Sequence, residues 1–180
     1  MSKLVLNGDT SGSVTLDAPA ISGTTTLTLP TTSGTVMVNG PAFSAYQSTS
    51  QTGLSIGSNT KLLFQTEEFD TNNNFASSTF TPTIAGYYQI NAACYINATA
   101  NITNALIQFN KNGVSYKLGG YASLPTGVGE TGVSANTLVY CNGTTDYLDV
   151  FLFWVGPSGT VSTNATINRT YFNGSMVRSA

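Results

Sequence analysis

Apolar and polar residues alternate along much of this chain in short runs, and glycine, proline or asparagine closes each run. The strongest run is Gly86–Ile96, which places Tyr88, Ile90, Ala92 and Cys94 on one face and predicts a core strand. Ala105–Lys111 predicts a strand that ends at Asn112-Gly113. That dipeptide favours a two-residue hairpin turn, because both central positions need positive φ, and Val114–Leu118 is the expected return strand. Val133–Cys141 and Tyr147–Trp154 predict two more strands, the second apolar on both faces at its end and therefore central. Leu62–Phe64 reads as a short strand, Ala165–Asn168 as an edge strand and Tyr171–Val177 as the closing strand. Gln65–Asp70 reads as a lead into the polar loop Thr71–Asn74, and Gly119–Gly132 as a glycine-rich loop. Many short strands separated by turn signals predict an all-β sandwich or jelly roll.

The pattern changes near Asn39-Gly40-Pro41. Before it, Val14/Leu16, Leu27/Leu29 and Val36/Val38 alternate with small polar residues, and aromatic residues are absent up to Phe43. Three strands with such slim apolar faces cannot close a core alone. Pairing with identical copies around an axis solves that problem. Residues 1–40 are therefore expected to form a β-rich oligomerising and docking stalk, and residues 41–180 the head.

Composition sharpens this reading. Of 180 residues, 41% are apolar but only 8% are charged, against about 25% in ordinary globular proteins. With a net charge of −2, such a surface has weak colloidal repulsion and suits an oligomer. Lys3, Lys61, Lys111, Lys117, Arg169 and Arg178 are scattered without a basic stripe, which argues against nucleic-acid binding. No apolar run is long enough for a membrane-spanning helix, so no membrane insertion is expected. The Met1–Asn7 stretch is interrupted by polar residues too early for a signal peptide, so synthesis in a cytoplasm is expected.

Candidate chemistry is sparse. There is no histidine, which removes the commonest general base and metal ligand. No serine lies in a nucleophile-elbow motif, and Glu67, Glu68, Asp146 and Asp149 read as turn and edge charges rather than a catalytic pair. Cys94 and Cys141 sit in strand-like runs and read as core filler. No enzymatic activity and no cofactor are expected. Glu67, Glu68 and Asp70 form the nearest approach to a calcium site, and they too read as solvated edge charges.

Several pieces in order resemble the C1q/TNF-like jelly rolls. Pro41-Ala42-Phe43-Ser44-Ala45-Tyr46 is similar to the opening strand of that family. Phe80-Thr81-Pro82 followed by Gly86-Tyr87-Tyr88 resembles its F-T-P-x-x-x-G-x-Y stretch, and Lys111-Asn112-Gly113 its K-N-G turn. Tyr171-Phe172-Asn173-Gly174 resembles the aromatic-Phe-x-Gly closing strand. The resemblance implies a homotrimer, with the aromatic strands around Tyr88 and Phe151–Trp154 supplying core and inter-subunit contacts. It departs from animal members in lacking a Gly-X-Y stalk. Gly12 to Val36 is similar to a segment near the N-termini of bacteriophage fibre and appendage proteins. Together these imply a virion fibre or spike, docked on other virion proteins through residues 1–40, whose head binds a host surface glycan. The alternative is a capsid decoration protein with a structural role. A secreted lectin of the same fold fits less well without a signal peptide.

Recognition is expected from loops, which carry function on sandwich scaffolds. Tyr121 and Leu124 of the glycine-rich segment are candidate receptor contacts. Asn73 in loop 71–77 and Asn101 in loop 97–104 are candidate hydrogen-bonding partners for an uncharged sugar.

Overall fold

The computed structural model describes residues 3–17, 23, 24, 26, 40–99, 101–125, 129–165 and 169–180. The expected strands at Leu27/Leu29 and Val36/Val38, and residues 166–168 of the expected edge strand, lie outside the described residues. The chain divides into two units, Met1–Thr35 and Val36–Ala180. In the first, β1 (Leu4–Asn7) and β2 (Ser13–Leu16) form an antiparallel hairpin with Leu4 opposite Leu16 and Leu6 opposite Val14.

The second unit is a sandwich of two seven-stranded sheets. Its strands are β3 (Ala42–Tyr46), β4 (Leu54–Ser55), β5 (Thr60–Lys61), β6 (Thr66–Asp70), β7 (Phe75–Ala76), β8 (Thr79–Phe80) and β9 (Gly86–Ala98). There follow β10 (Ile102–Lys111), β11 (Val114–Leu118), β12 (Ala122–Leu124), β13 (Gly129–Cys141), β14 (Leu148–Val155), β15 (Thr160–Thr163) and β16 (Tyr171–Ser179). One sheet runs β6-β3-β16-β9-β13, with β15 and β4 extending it beside the far half of β9. The other runs β7-β8-β14-β10-β11, with β5 on β14 and β12 on β10. All pairings are antiparallel among the described strands.

Period-two patterning determines what each strand buries. On β9, Tyr88, Ile90, Ala92, Cys94 and Ile96 face inward and are buried, while Tyr87 and Tyr95 on the other phase are exposed. β14 lies between β10 and β8/β5, and its Leu148, Val150, Leu152 and Trp154 enter the core. The densest packing is aromatic. Phe43 stacks on Phe80 at 4.3 Å and meets Phe172 edge-on at 4.9 Å. Phe64, Phe75 and Phe109 close around Phe172. The two buried polar rings find acceptors: Tyr88 donates to the Ile84 carbonyl at 2.6 Å, and Trp154 to the Leu54 carbonyl at 3.2 Å. Gly174 lets β16 cross this cluster, since a Cβ there would stand 2.5 Å from Ile90 Cδ1 and 3.1 Å from Phe43 Cε1.

Four expectations change. Leu62–Phe64 is not a strand; Thr60–Lys61 pairs with β14 just before it, and Leu62 and Phe64 drop into the core. Thr66–Asp70 is a strand, held by backbone pairing to β3. The glycine-rich loop is short, because Ala122–Leu124 pairs with β10 and Gly129–Gly132 already belongs to β13, opposite Tyr95–Ala98. Gly132 is there for contact, because a Cβ would stand 2.8 Å from the Tyr95 ring. Loop 97–104 shrinks likewise, since β9 continues to Ala98 and β10 starts at Ile102.

Candidate functional site

The outward face of the β6-β3-β16-β9-β13 sheet carries more exposed apolar surface than a solvated sheet needs. Phe69, Tyr87, Tyr95, Leu138, Tyr140 and Val177 are all exposed there, Leu138 at 53% and Phe69 at 52%. Tyr87 and Tyr140 pair directly across β9 and β13 with their rings 5.5 Å apart. A polar row crosses the middle of this face: Asn136, Asn91, Asn173 and Ser44 are successive cross-strand partners, and Asn91 donates to Asn173 at 3.1 Å. Beside the row, Phe69, Ala42, Ser44, Asn91, Asn173 and Ser175 surround a hollow of about 300 Å³. Toward the far end of the face, Arg169 pairs with Glu130 and lies over the Tyr95 ring at 5.1 Å.

The opposite sheet's outward face is more self-covered. Leu106, Gln108 and Asn110 are buried, Gln108 donates to Asn110 at 2.7 Å, and Lys61 pairs with the buried Asp149 at 2.6 Å. A second exposed apolar set, Val114, Tyr116, Leu118 and Tyr121, lies along edge strand β11 and the residues after it.

A different kind of surface lies at the sandwich end formed by the β9–β10 turn, β12 and the β14–β15 turn. Asn101, Ile102, Thr103, Ser123, Pro125, Gly156 and Pro157 line an open groove of about 520 Å³ there. Among the described residues its lining contains hydroxyl and amide groups, two proline rings and no charged side chain. Such a lining suits an uncharged hydroxylated ligand better than an ion.

The four residues singled out from sequence do not form one site. Asn101 lines the groove. Leu124, next to it on β12, packs partly buried against the core, because it sits opposite the buried Ile102. Tyr121 is 69% exposed, on the sheet edge before β12. Asn73 lies at the opposite end, in a turn where it adopts φ 52°, a left-handed conformation that asparagine tolerates. Sequence reasoning missed the outward residues Phe69, Leu138, Tyr140 and Val177. The one visible signal was that β13 becomes apolar on both phases after Thr137.

Glu68 and Asp70 are engaged in structural hydrogen bonds. Glu68 accepts from Ser44 at 2.6 Å, and Asp70 accepts from the Phe75 amide at 2.7 Å, so these two turn to different neighbours. Among the described residues no three metal-ligating side chains converge. Burial pushes the Cys94 thiol up to about 12 and Cys141 up to about 11, so both stay protonated at neutral pH.

Asp146 ties two turns together. It pairs with Lys111 at 2.9 Å and accepts from the Asn112 side chain at 2.7 Å and the Asn142 amide at 2.9 Å. Burial alone would raise its pKa. The hydrogen bonds from Asn112, Lys111 and Asn142, with the Lys111 charge, outweigh that and hold it below the usual carboxylate range. The folded value is thus below the unfolded one, so the carboxylate stabilises the fold fully above about pH 4 and progressively less as pH falls through the folded value. Asp146→Asn is expected to cost about 1–3 kcal/mol at pH 7 in urea unfolding. The deficit should shrink in acid; a deficit independent of pH would contradict the assignment.

No protein-family model and no curated protein matches the sequence. Solved structures do match the fold. The globular domain of zebrafish complement 1qA superposes with a TM-score of 0.51 at 16% identity, covering 78% of this chain and 99% of that domain. Murine APRIL gives 0.56 at 8% identity, covering 77% of this chain and 100% of APRIL. Eiger TNF from S. frugiperda gives 0.55 at 7% identity, covering 78% and 94% respectively. The likeness is one of fold: an all-β, C1q/TNF-like jelly roll.

Proposed function

We propose that this chain is a non-enzymatic, homotrimeric virion subunit of the fibre or spike type, whose jelly-roll heads associate side by side and present their end grooves to neutral saccharides on a host cell. The observation that carries the reading is the outward face of the β6-β3-β16-β9-β13 sheet, where six large apolar side chains stand exposed around an asparagine row. On a chain with 8% charged residues, that face is covered most economically by neighbouring copies of the same chain arranged around an axis. The resemblance of Gly12–Val36 to phage appendage segments supports placement in a virion, docked through the N-terminal residues.

The groove supports the ligand class. With no charge among the described lining residues, affinity comes from hydrogen bonds by Asn101, Thr103 and Ser123 and from contact with Pro125 and Pro157. Each such site is weak, and three copies on one particle raise avidity. In a cell-adsorption assay, Asn101→Ala is expected to leave folding unchanged and weaken adsorption. Loss of about 1 kcal/mol per site is roughly fivefold, compounding toward about 100-fold when three sites engage together. Tyr121→Ala, outside the groove, should have the smaller effect. Unchanged adsorption by Asn101→Ala, with no cell binding by the intact particle, would move the chain to a capsid-decorating role.

A further inference from the structure

The hairpin of the first unit shows a one-sided apolar stripe. Leu4 lies opposite Leu16 and Leu6 opposite Val14, so these four side chains share one face of β1 and β2, each more than half exposed. The other face carries Val5, Asn7, Ser13 and Thr15 in alternation with them. A two-stranded hairpin with its apolar face in water is marginal at best. Four half-exposed aliphatic side chains offer at most a few hundred Å² per copy, against about 800 Å² per partner in a stable interface. The stripe is therefore too small to capture a separate protein by itself. It is large enough to close on its own copies when another contact already holds those copies together, because association is then effectively intramolecular. Charge does not oppose that packing: Lys3 and Asp17 follow the phase of Val5 and Thr15, pair with each other within one hairpin at 2.8 Å, and leave the stripe face uncharged.

We propose that β1–β2 hairpins of three chains pack their Leu4, Leu6, Val14 and Leu16 faces together around a shared axis. This rests on the trimeric reading of the head, which supplies the local concentration. The test uses the full chain with single substitutions Leu6→Cys and Val14→Cys on the stripe and Thr15→Cys on the opposite face. Each is treated with a short bis-maleimide, while the buried Cys94 and Cys141 serve as unreactive background. Stripe positions are expected to give covalent dimers at least tenfold more efficiently than Thr15→Cys, in a chain that sediments as a trimer. A trimer whose stripe cysteines cross-link no better than Thr15→Cys would overturn the hairpin packing and leave the head reading standing. A monomer would overturn both.

Discussion

A chain carrying Leu138→Lys and Tyr140→Lys is expected to be a folded monomer at concentrations where the unsubstituted chain is expected to form the proposed trimer. Both side chains point outward from β13, at 53% and 43% exposure, beside Tyr87 on β9. In an isolated head they meet water, so the substitutions should change intrinsic stability only by about 0.5 kcal/mol each. In the assembly they would lie against another copy, and each buried ammonium without a partner costs several kcal/mol. Two per chain give six cations around one axis, and the expected loss in association is at least about 1,000-fold, since each 1.4 kcal/mol is a factor of ten. Circular dichroism should show an unchanged β spectrum. A double variant that stays trimeric would place the contact elsewhere, with the Val114, Leu118 and Tyr121 edge as the next surface to test.

The largest effect on stability is expected from Phe172→Ala. Its ring is fully buried on β16, edge-on to Phe43 at 4.9 Å and flanked by Phe64, Phe75 and Phe109, so it joins both sheets at the densest point of the core. Removing it leaves a cavity that rigid neighbouring rings fill poorly, and the loss should be about 3–5 kcal/mol. Urea unfolding at fixed protein concentration measures this, since oligomerisation couples apparent stability to concentration. A loss below about 1 kcal/mol would mean the aromatic cluster is not the centre of the core.

What the sequence revealed follows from what is local. The alternation of Gly86–Ile96 is a property of one strand meeting one core, and it emerges as β9 with the same inward face. Asn112-Gly113 likewise encodes its turn in its own backbone, with φ of 55° and 78°. Non-local pairing was harder to see. Thr66–Asp70 has one large apolar residue, Phe69, and that residue is exposed, so its strand character comes from hydrogen bonding to β3. Gly129–Gly132 has loop composition, yet it extends β13 because β9 offers a long free edge and Tyr95 needs the space above Gly132. The candidate sites divide the same way. Asn101 lies in the turn between β9 and β10, and turns between long strands are visible in sequence. Asn73 lies at the other end of the sandwich from Asn101, and loop composition does not say which end a loop occupies. The apolar outward face was missed because it is assembled from single residues on four strands.

Sedimentation equilibrium of the unsubstituted full chain at micromolar concentration decides whether the heads associate in threes. A single species of three times the 18.8 kDa chain mass, stable to dilution, is expected. A stable species of one chain mass would contradict it.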